Sequence, residues 1–239
     1  MSDQEKIIQN IKGALEPNKL VYAFWVEGST AQGHGDEYSD LDIRLEVEAD
    51  KIEGVYNQIE KSLAKLGMID LKYEFKTGNQ QRKIVYHIEK MSEFLTIDIN
   101  IQPYPWNTEL TKGVDEAKII FDKNGIVKFV ERSDLKPKNI ELAKEQSISF
   151  YLAMRPNVLK NIHRNKPLEA QKYYRNIIEY VIKYLRIKYE MPEKIDFDFK
   201  HIYRDFPKDI VKKIDYFTFI MPSELESKLD DLGEWIKVL

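Results

Sequence analysis

Two short stretches alternate apolar and polar residues so strictly that they exclude a helix. In Asp40 to Val47 the apolar residues are Leu41, Ile43, Leu45 and Val47; in Leu95 to Gln102 they are Leu95, Ile97, Ile99 and Ile101. A period of two belongs to a strand with one face buried, whereas a helix would scatter these side chains around its circumference. The polar residues then share the opposite face: Asp40, Asp42, Arg44 and Glu46 on one strand, Thr96, Asp98, Asn100 and Gln102 on the other. Carboxylates at i and i+2 stand roughly 6–7 Å apart on such a face.

Around these strands the period changes repeatedly. Ile7, Ile8, Ile11 and Leu15 predict a helix that Pro17 ends, and Leu20–Val26 predicts a buried strand. Asp50 is the expected cap of a helix that buries Ile52, Val55, Ile59, Leu63 and Leu66, with Gly67 as its stop. Residues 70–88 read as two strands around a turn at Gly78-Asn79. His34, between Gly33 and Gly35, reads as an exposed loop residue. Residues 117–130 read either as a last strand with a turn at Asn124-Gly125 or as the lead-in to a second domain. Beyond Pro137 the chain is helical: about 138–163 with a kink at Pro156, 167–189, 208–217 and 223–238. The expected class is α/β (α+β), a mixed sheet domain over 1–110, a connecting segment over 111–137 and an all-helical C-terminal domain over 138–239.

Charge and cysteine content narrow the chemistry. Among 239 residues, 37 Lys and Arg face 40 Asp and Glu, for a net charge of -3. With no basic stripe, long nucleic acid is disfavoured as a partner. The absence of cysteine removes thiolate metal sites and thiol nucleophiles, and fits a reducing, cytoplasmic setting. No run approaches the ~18–20 apolar residues of a membrane span, so no membrane partner is expected. The oligomeric state is not legible.

Asp40 and Asp42 are like charges that call for a cation. Hard oxygen ligands, without sulfur or a histidine cluster, suit Mg²⁺ or Mn²⁺. If the two alternating strands are neighbours, Asp98 joins them, and three carboxylates can hold two ions for in-line displacement at phosphorus. Gly28-Ser29 follows the Leu20–Val26 strand, where glycine permits close backbone approach and N–H groups with a hydroxyl suit phosphate.

Gly28-Ser29, ten residues, Asp40-Leu41-Asp42, and Asp98 on a later alternating strand together resemble the nucleotidyltransferase superfamily related to DNA polymerase β. The run is most similar to small bacterial adenylyltransferases of the aminoglycoside and lincosamide type, in which a helical domain follows the catalytic one. The resemblance covers Glu27–Val47 and about Arg82–Gln102; the helical half matches in character only. It implies a nucleotidyltransferase-type sheet domain, then a helical domain that clamps substrate and nucleotide. It makes Asp40, Asp42 and Asp98 the metal ligands and catalytic groups, with Asp98 also the general base, and puts Gly28 and Ser29 on the β- and γ-phosphates. The implied reaction is transfer of AMP from ATP to a hydroxyl of a small molecule, such as an aminoglycoside-like antibiotic, releasing pyrophosphate. A protein or RNA acceptor, and a catalytically silent nucleotide-binding regulatory module, stay open as alternatives. Glu27 departs from the apolar residue usual before the glycine.

The helix from Pro167 carries Lys172, Arg175, Glu179, Lys183 and Arg186 opposite Tyr174, Ile177, Ile178, Val181 and Leu185. The first set reads as a solvated stripe with i,i+4 pairs Arg175–Glu179 and Glu179–Lys183. Within it, Lys172 and Arg175 are the candidates to meet a triphosphate. Tyr104 and Trp106, after the Asp98 strand, are candidate acceptor-stacking groups. Glu145 and Glu169 are candidate acids for a cationic acceptor.

Overall fold

In a computed structural model, residues 1–32, 36–75, 81–131 and 139–239 are described, with the side chains of Ser29 and Gln32 outside that set. The Gly78-Asn79 turn and His34 also lie outside it. The chain forms two compact units, Met1–Arg132 and Ser133–Leu239.

The first unit opens with α1 (Asp3–Leu15), whose N-terminus is closed by a reciprocal cap: Ser2 Oγ accepts from the Glu5 amide, and Glu5 Oε2 accepts from the Ser2 amide. β1 (Val21–Glu27), β2 (Leu41–Glu48), α2 (Ile52–Leu63), β3 (Ile69–Phe75), β4 (Arg82–Ile88), β5 (Ile97–Tyr104), β6 (Glu109–Thr111), β7 (Ala117–Asp122) and β8 (Lys128–Val130) follow. Six strands form one mixed sheet in the order β3-β4-β5-β2-β1-β7, and β6 pairs with β8 separately. Only the central pair of the large sheet, β2 with β5, is parallel. A parallel pair needs a crossover; here α2, β3 and β4 intervene in the chain.

The alternating residues do what their period predicts. Leu41, Ile43, Leu45, Val47, Ile97, Ile99 and Ile101 are all fully buried, in one core with Ile7, Ile11 and Leu15 of α1 and Val55, Ile59 and Leu63 of α2. Both helices thus cover one face of the sheet. The other face carries the polar residues of β2, β4 and β5. A small second cluster, Ala23, Trp25 and Leu110 with Ile119 and Val127, stands at its β7 end.

Several expectations need correction. Of the two readings of residues 117–130, the last strand is the one formed: β7 pairs with β1 at the edge of the sheet, and the first compact unit runs to Arg132. Asp50 does not cap α2: a short 3₁₀ turn, Ala49–Lys51, precedes the helix, and Asp50 pairs with Lys51 at 2.8 Å instead. Gly67 is not the stop either, because α2 ends at Leu63 with Ala64 as its cap. A Cβ at Gly67 would lie 2.7 Å from Ile88 Cγ2, so its smallness serves packing against β4.

The second unit consists of α3 (Ile140–His163), α4 (Pro167–Lys188), α5 (Ile202–Asp205), α6 (Lys208–Thr218) and α7 (Leu225–Val238). Its core joins Tyr151 and Val158 of α3, Tyr174 to Leu185 of α4, Ile214 and Phe217 of α6, and Leu229, Leu232 and Ile236 of α7. Pro156 lies inside α3, and α4 opens on Pro167 as its first turn.

The stripe expected to be solvated on α4 is not solvated at its end. Arg186 is 0% exposed: it bonds Asp205 Oδ2 at 3.0 Å and the carbonyls of Asp198 and Lys200 at 3.2 and 2.7 Å, against the rings of Phe197 and Phe206. Residues after α4 fold back over that position and supply the acceptors that a buried guanidinium requires. Glu179 pairs with Arg175 at 3.0 Å as expected, but Lys183 turns to Asp196 at 3.7 Å. No helix among the described residues is long and apolar enough to cross a membrane.

Candidate active site

The ten residues between Ser29 and Asp40 bring two backbone points together. Gly28 ends β1 at φ +75, a conformation glycine adopts without steric cost. Its amide donates to the Glu116 carbonyl at 3.0 Å and its carbonyl accepts from Ala31 at 3.0 Å, opening the 3₁₀ turn Ser29–Gln32. Thr30 Oγ1 then donates to the Asp40 carbonyl at 3.1 Å, fastening that turn to the entry of β2. A Cβ on Gly28 would stand 3.2 Å from Asp42 Oδ2. The turn thus reaches the aspartates twice, at Asp40 through Thr30 and at Asp42 through Gly28.

The third carboxylate arrives by register. In the parallel β2–β5 pair Asp42 lies opposite Asp98, and in the antiparallel β1–β2 pair Glu27 lies opposite Asp42. Three acidic residues thus occupy adjacent positions across three strands, with Asp40 exposed just before β2. Burial first, then the charges of Asp40 and Asp98, hold the Asp42 carboxyl up at about 6, against a smaller opposing pull from Arg44. A carboxyl so crowded by like charge is what a cation would relieve.

Glu27, the departure from the expected apolar residue, is accounted for. Its Oε2 pairs with Arg44 Nε at 2.9 Å and its Oε1 accepts from Trp25 Nε1 at 2.9 Å. Both oxygens are committed to this face of the sheet.

The aspartates offer the oxygen donors that a hard divalent ion takes. Asp98 Oδ1 is buried without a hydrogen-bond partner, the state of an oxygen that lacks a ligand. Asp40, Asp42 and Asp98 are all hard oxygen donors. Among the described residues, however, no three acidic or imidazole groups stand close enough to enclose an ion unaided. Asp98 Oδ2 is held by Lys83 Nζ at 2.6 Å. The donor types fit a hard ion, while their spacing is that of a metal-free site.

Alongside lies a polar cavity of about 310 Å³, lined by Trp25, Glu27, Arg44, Asn100, Trp106 and Glu109 among others. Arg44 and Asn100 are the register pair next but one to Asp42 and Asp98, so the cavity opens beside the carboxylates on the same sheet face. The Asn100 Oδ1 is also buried and partnerless. Trp106 lines this cavity, its amide donating to the buried Glu46 at 2.8 Å. Tyr104 does not join it. It ends β5 six residues beyond Asp98 and packs its ring against Tyr22 at 4.2 Å, because successive even residues march away along the strand.

Lys172 is exposed near the start of α4, and Arg175 bonds Glu179 and covers the Phe199 ring at 5.2 Å. Glu145 is exposed on α3, and Glu169 pairs with Lys166 at 3.7 Å. These four belong to the helical unit. The Ser29 side chain lies outside the described residues. Sequence reading missed Lys83, Arg44 and Trp25 at this site. The signal for Lys83 was present: Ile84, Tyr86 and Ile88 are the inward residues of β4, which puts Lys83 on the Asp98 face.

The mixed sheet, with helices on one face, sets the turn after Gly28 beside Asp42 and brings Asp98 into register with it on the next strand. The nucleotidyltransferase domain family model matches residues 8–184, and the chain belongs to that family: it is a nucleotidyltransferase. Among solved structures, the spectinomycin adenyltransferase AAD(9) from Enterococcus faecialis, with ATP and spectinomycin, is similar at 13% identity and a TM-score of 0.36, covering 98% of this chain and 99% of that one. No curated protein matches the chain.

Proposed function

We propose that the protein transfers a nucleoside monophosphate, AMP from ATP, to a hydroxyl of a small polar molecule and releases pyrophosphate. The observation that carries this reading is the register that sets Asp42 opposite Asp98, with Gly28 against Asp42. Asp40, Asp42 and Asp98 would hold Mg²⁺, which when bound supplies charge neutralisation at the phosphates and lowers the cost of in-line displacement. Gly28, whose own amide is taken by the Glu116 carbonyl, leaves room for the β- and γ-phosphates to reach the turn that Ser29 begins. On the helical unit, Lys172 and Arg175 stay the candidate cations for a nucleotide.

Asp98 takes the proton of the acceptor hydroxyl as its oxygen bonds to the α-phosphorus. The bond from that phosphorus to the bridging oxygen breaks, and pyrophosphate leaves with its electron pair. The cavity beside Asn100 supports a small acceptor: 310 Å³ suits a ligand of modest size. Trp106, 38% exposed, offers a flat face to sugar-like or cationic groups, and the exposed Glu109 favours positive charge. An aminoglycoside-like acceptor fits this lining, with Trp106 the stacking group.

The test is incubation of the full chain with Mg²⁺, α-labelled ATP and a panel of hydroxylated amines and sugars. Labelled product from one of them, lost in Asp40→Asn, is expected. No transfer and no nucleotide binding across the panel would sink the reading.

A further inference from the structure

Beside the three aspartates stands a cation that the transfer chemistry does not use. Lys83 of β4 lies opposite Asn100 of β5 and Phe75 of β3. Its Nζ is 2.6 Å from Asp98 Oδ2 and 5.2 Å from the Phe75 ring centroid. Asp98 is 16% exposed and Lys83 32%, so the pair is largely shielded from solvent. One oxygen of Asp98 is thus held by an ammonium, while the other is buried with no partner. The nearby guanidinium, Arg44, already bonds Glu27.

We propose that Lys83 is a tethered counter-cation: in the metal-free enzyme it neutralises and positions Asp98, and it competes with the divalent ion for that carboxylate. This rests on the nucleotidyl-transfer reading of the site. Three aspartates gathered without any cation would repel one another, and an ammonium on one of them lessens that repulsion. The same charge lowers the attraction felt by an incoming metal ion. Lysine suits the task better than arginine, because a point charge on a flexible stem can leave, whereas a planar fork binds a carboxylate with two bonds. The face of Phe75, already 5.2 Å from the ammonium, leaves it one partner when Asp98 is taken by the ion. Lys83 therefore sets metal affinity low and keeps the third carboxylate in place until the ion arrives with nucleotide.

The experiment is a Mn²⁺ titration of the full chain, free Mn²⁺ being read by its paramagnetic resonance, with thermal denaturation in chelator alongside. Lys83→Met removes the charge and should bind Mn²⁺ roughly tenfold more tightly, while melting lower than wild type without metal. Lys83→Gln keeps a hydrogen-bond donor without the charge and should tighten binding as well, which makes it the reading of record should the Met variant misfold. Lys83→Arg should bind no more tightly than wild type. Unchanged or weaker Mn²⁺ binding in the neutral variants overturns the role of Lys83 while leaving nucleotidyl transfer standing. A wild type that binds no Mn²⁺ overturns both.

Discussion

Replacing Gly28 by alanine separates two demands that meet at one residue. The backbone demand is φ +75, which costs an L-residue about 1–2 kcal/mol. The contact demand is a new methyl group 3.2 Å from Asp42 Oδ2, which forces a shift of a few tenths of an ångström in a half-buried carboxylate. Together they should destabilise the sheet unit by about 1–3 kcal/mol. A double-mutant cycle with Asp42→Ala divides the total: truncating Asp42 removes the oxygen, so the contact part vanishes and the backbone part persists. Because the chain has two compact units, a single global melt is not a clean measure. Hydrogen exchange of the β1 and β2 amides reports on the sheet unit itself. Coupling of about 0.5–1 kcal/mol in the cycle, with a residual loss of at least 1 kcal/mol in the Asp42→Ala background, is the expected result. Full stability in Gly28→Ala, or no coupling with Asp42, would refute the contact between turn and carboxylate. Nucleotide transfer should fall far more than stability does, since the displaced group is one of the three proposed catalytic aspartates.

Other outcomes follow from particular contacts. Asp42→Asn should abolish transfer yet stabilise the metal-free protein by on the order of 1 kcal/mol, since it removes one of several crowded like charges; urea titration in chelator reads this. Arg186→Met should cost about 1–3 kcal/mol, seen as lost protection of α4 amides, because it leaves the carbonyls of Asp198 and Lys200 without their donor and Lys194 as the nearest cation on a carboxylate only 3% exposed. Burial alone would raise the Asp205 carboxyl, but hydrogen bonds from Lys194 and Arg186 outweigh it and hold it below its ordinary value. Its contribution to stability is therefore present above the ordinary carboxylate pKa and is lost as pH falls through the depressed one; Arg186→Met should flatten that acid loss. Gly233→Ala would drive a methyl group into the Tyr151 ring and should cost about 1–3 kcal/mol, much of it recovered in a Tyr151→Leu background.

Much of the sheet unit was legible because its information is local. A period of two places Leu41, Ile43, Ile97 and Ile99 inside and Asp42 and Asp98 outside without any knowledge of neighbours. The Gly28-Ser29 turn and the aspartate pair are close in sequence, and their resemblance to a known family named the chemistry. Boundaries were less legible. Residues 117–130 left a last strand and a lead-in to a second domain both open, because an edge strand is fixed only by pairing with β1, a partner nearly a hundred residues earlier. Asp50 and Gly67 carried the right residue types for a cap and a stop, but a 3₁₀ turn and a close approach to Ile88 used them otherwise.

Sequence alone determined which faces the polar residues take and which residue types the site offers. Tertiary structure decided which of them meet. That β2 and β5 are neighbours, parallel and in a register with Asp42 opposite Asp98, depends on a crossover through three intervening elements. The pairing of Lys83 with Asp98 and the seating of Glu27 between Arg44 and Trp25 depend on strand order as well. Arg186 makes the same point in the helical unit: its spacing put it on a solvated stripe, and residues 198–205 then covered it and satisfied its charge. Periodicity is a property of one segment, whereas the environment of a charge is set by segments distant in the chain.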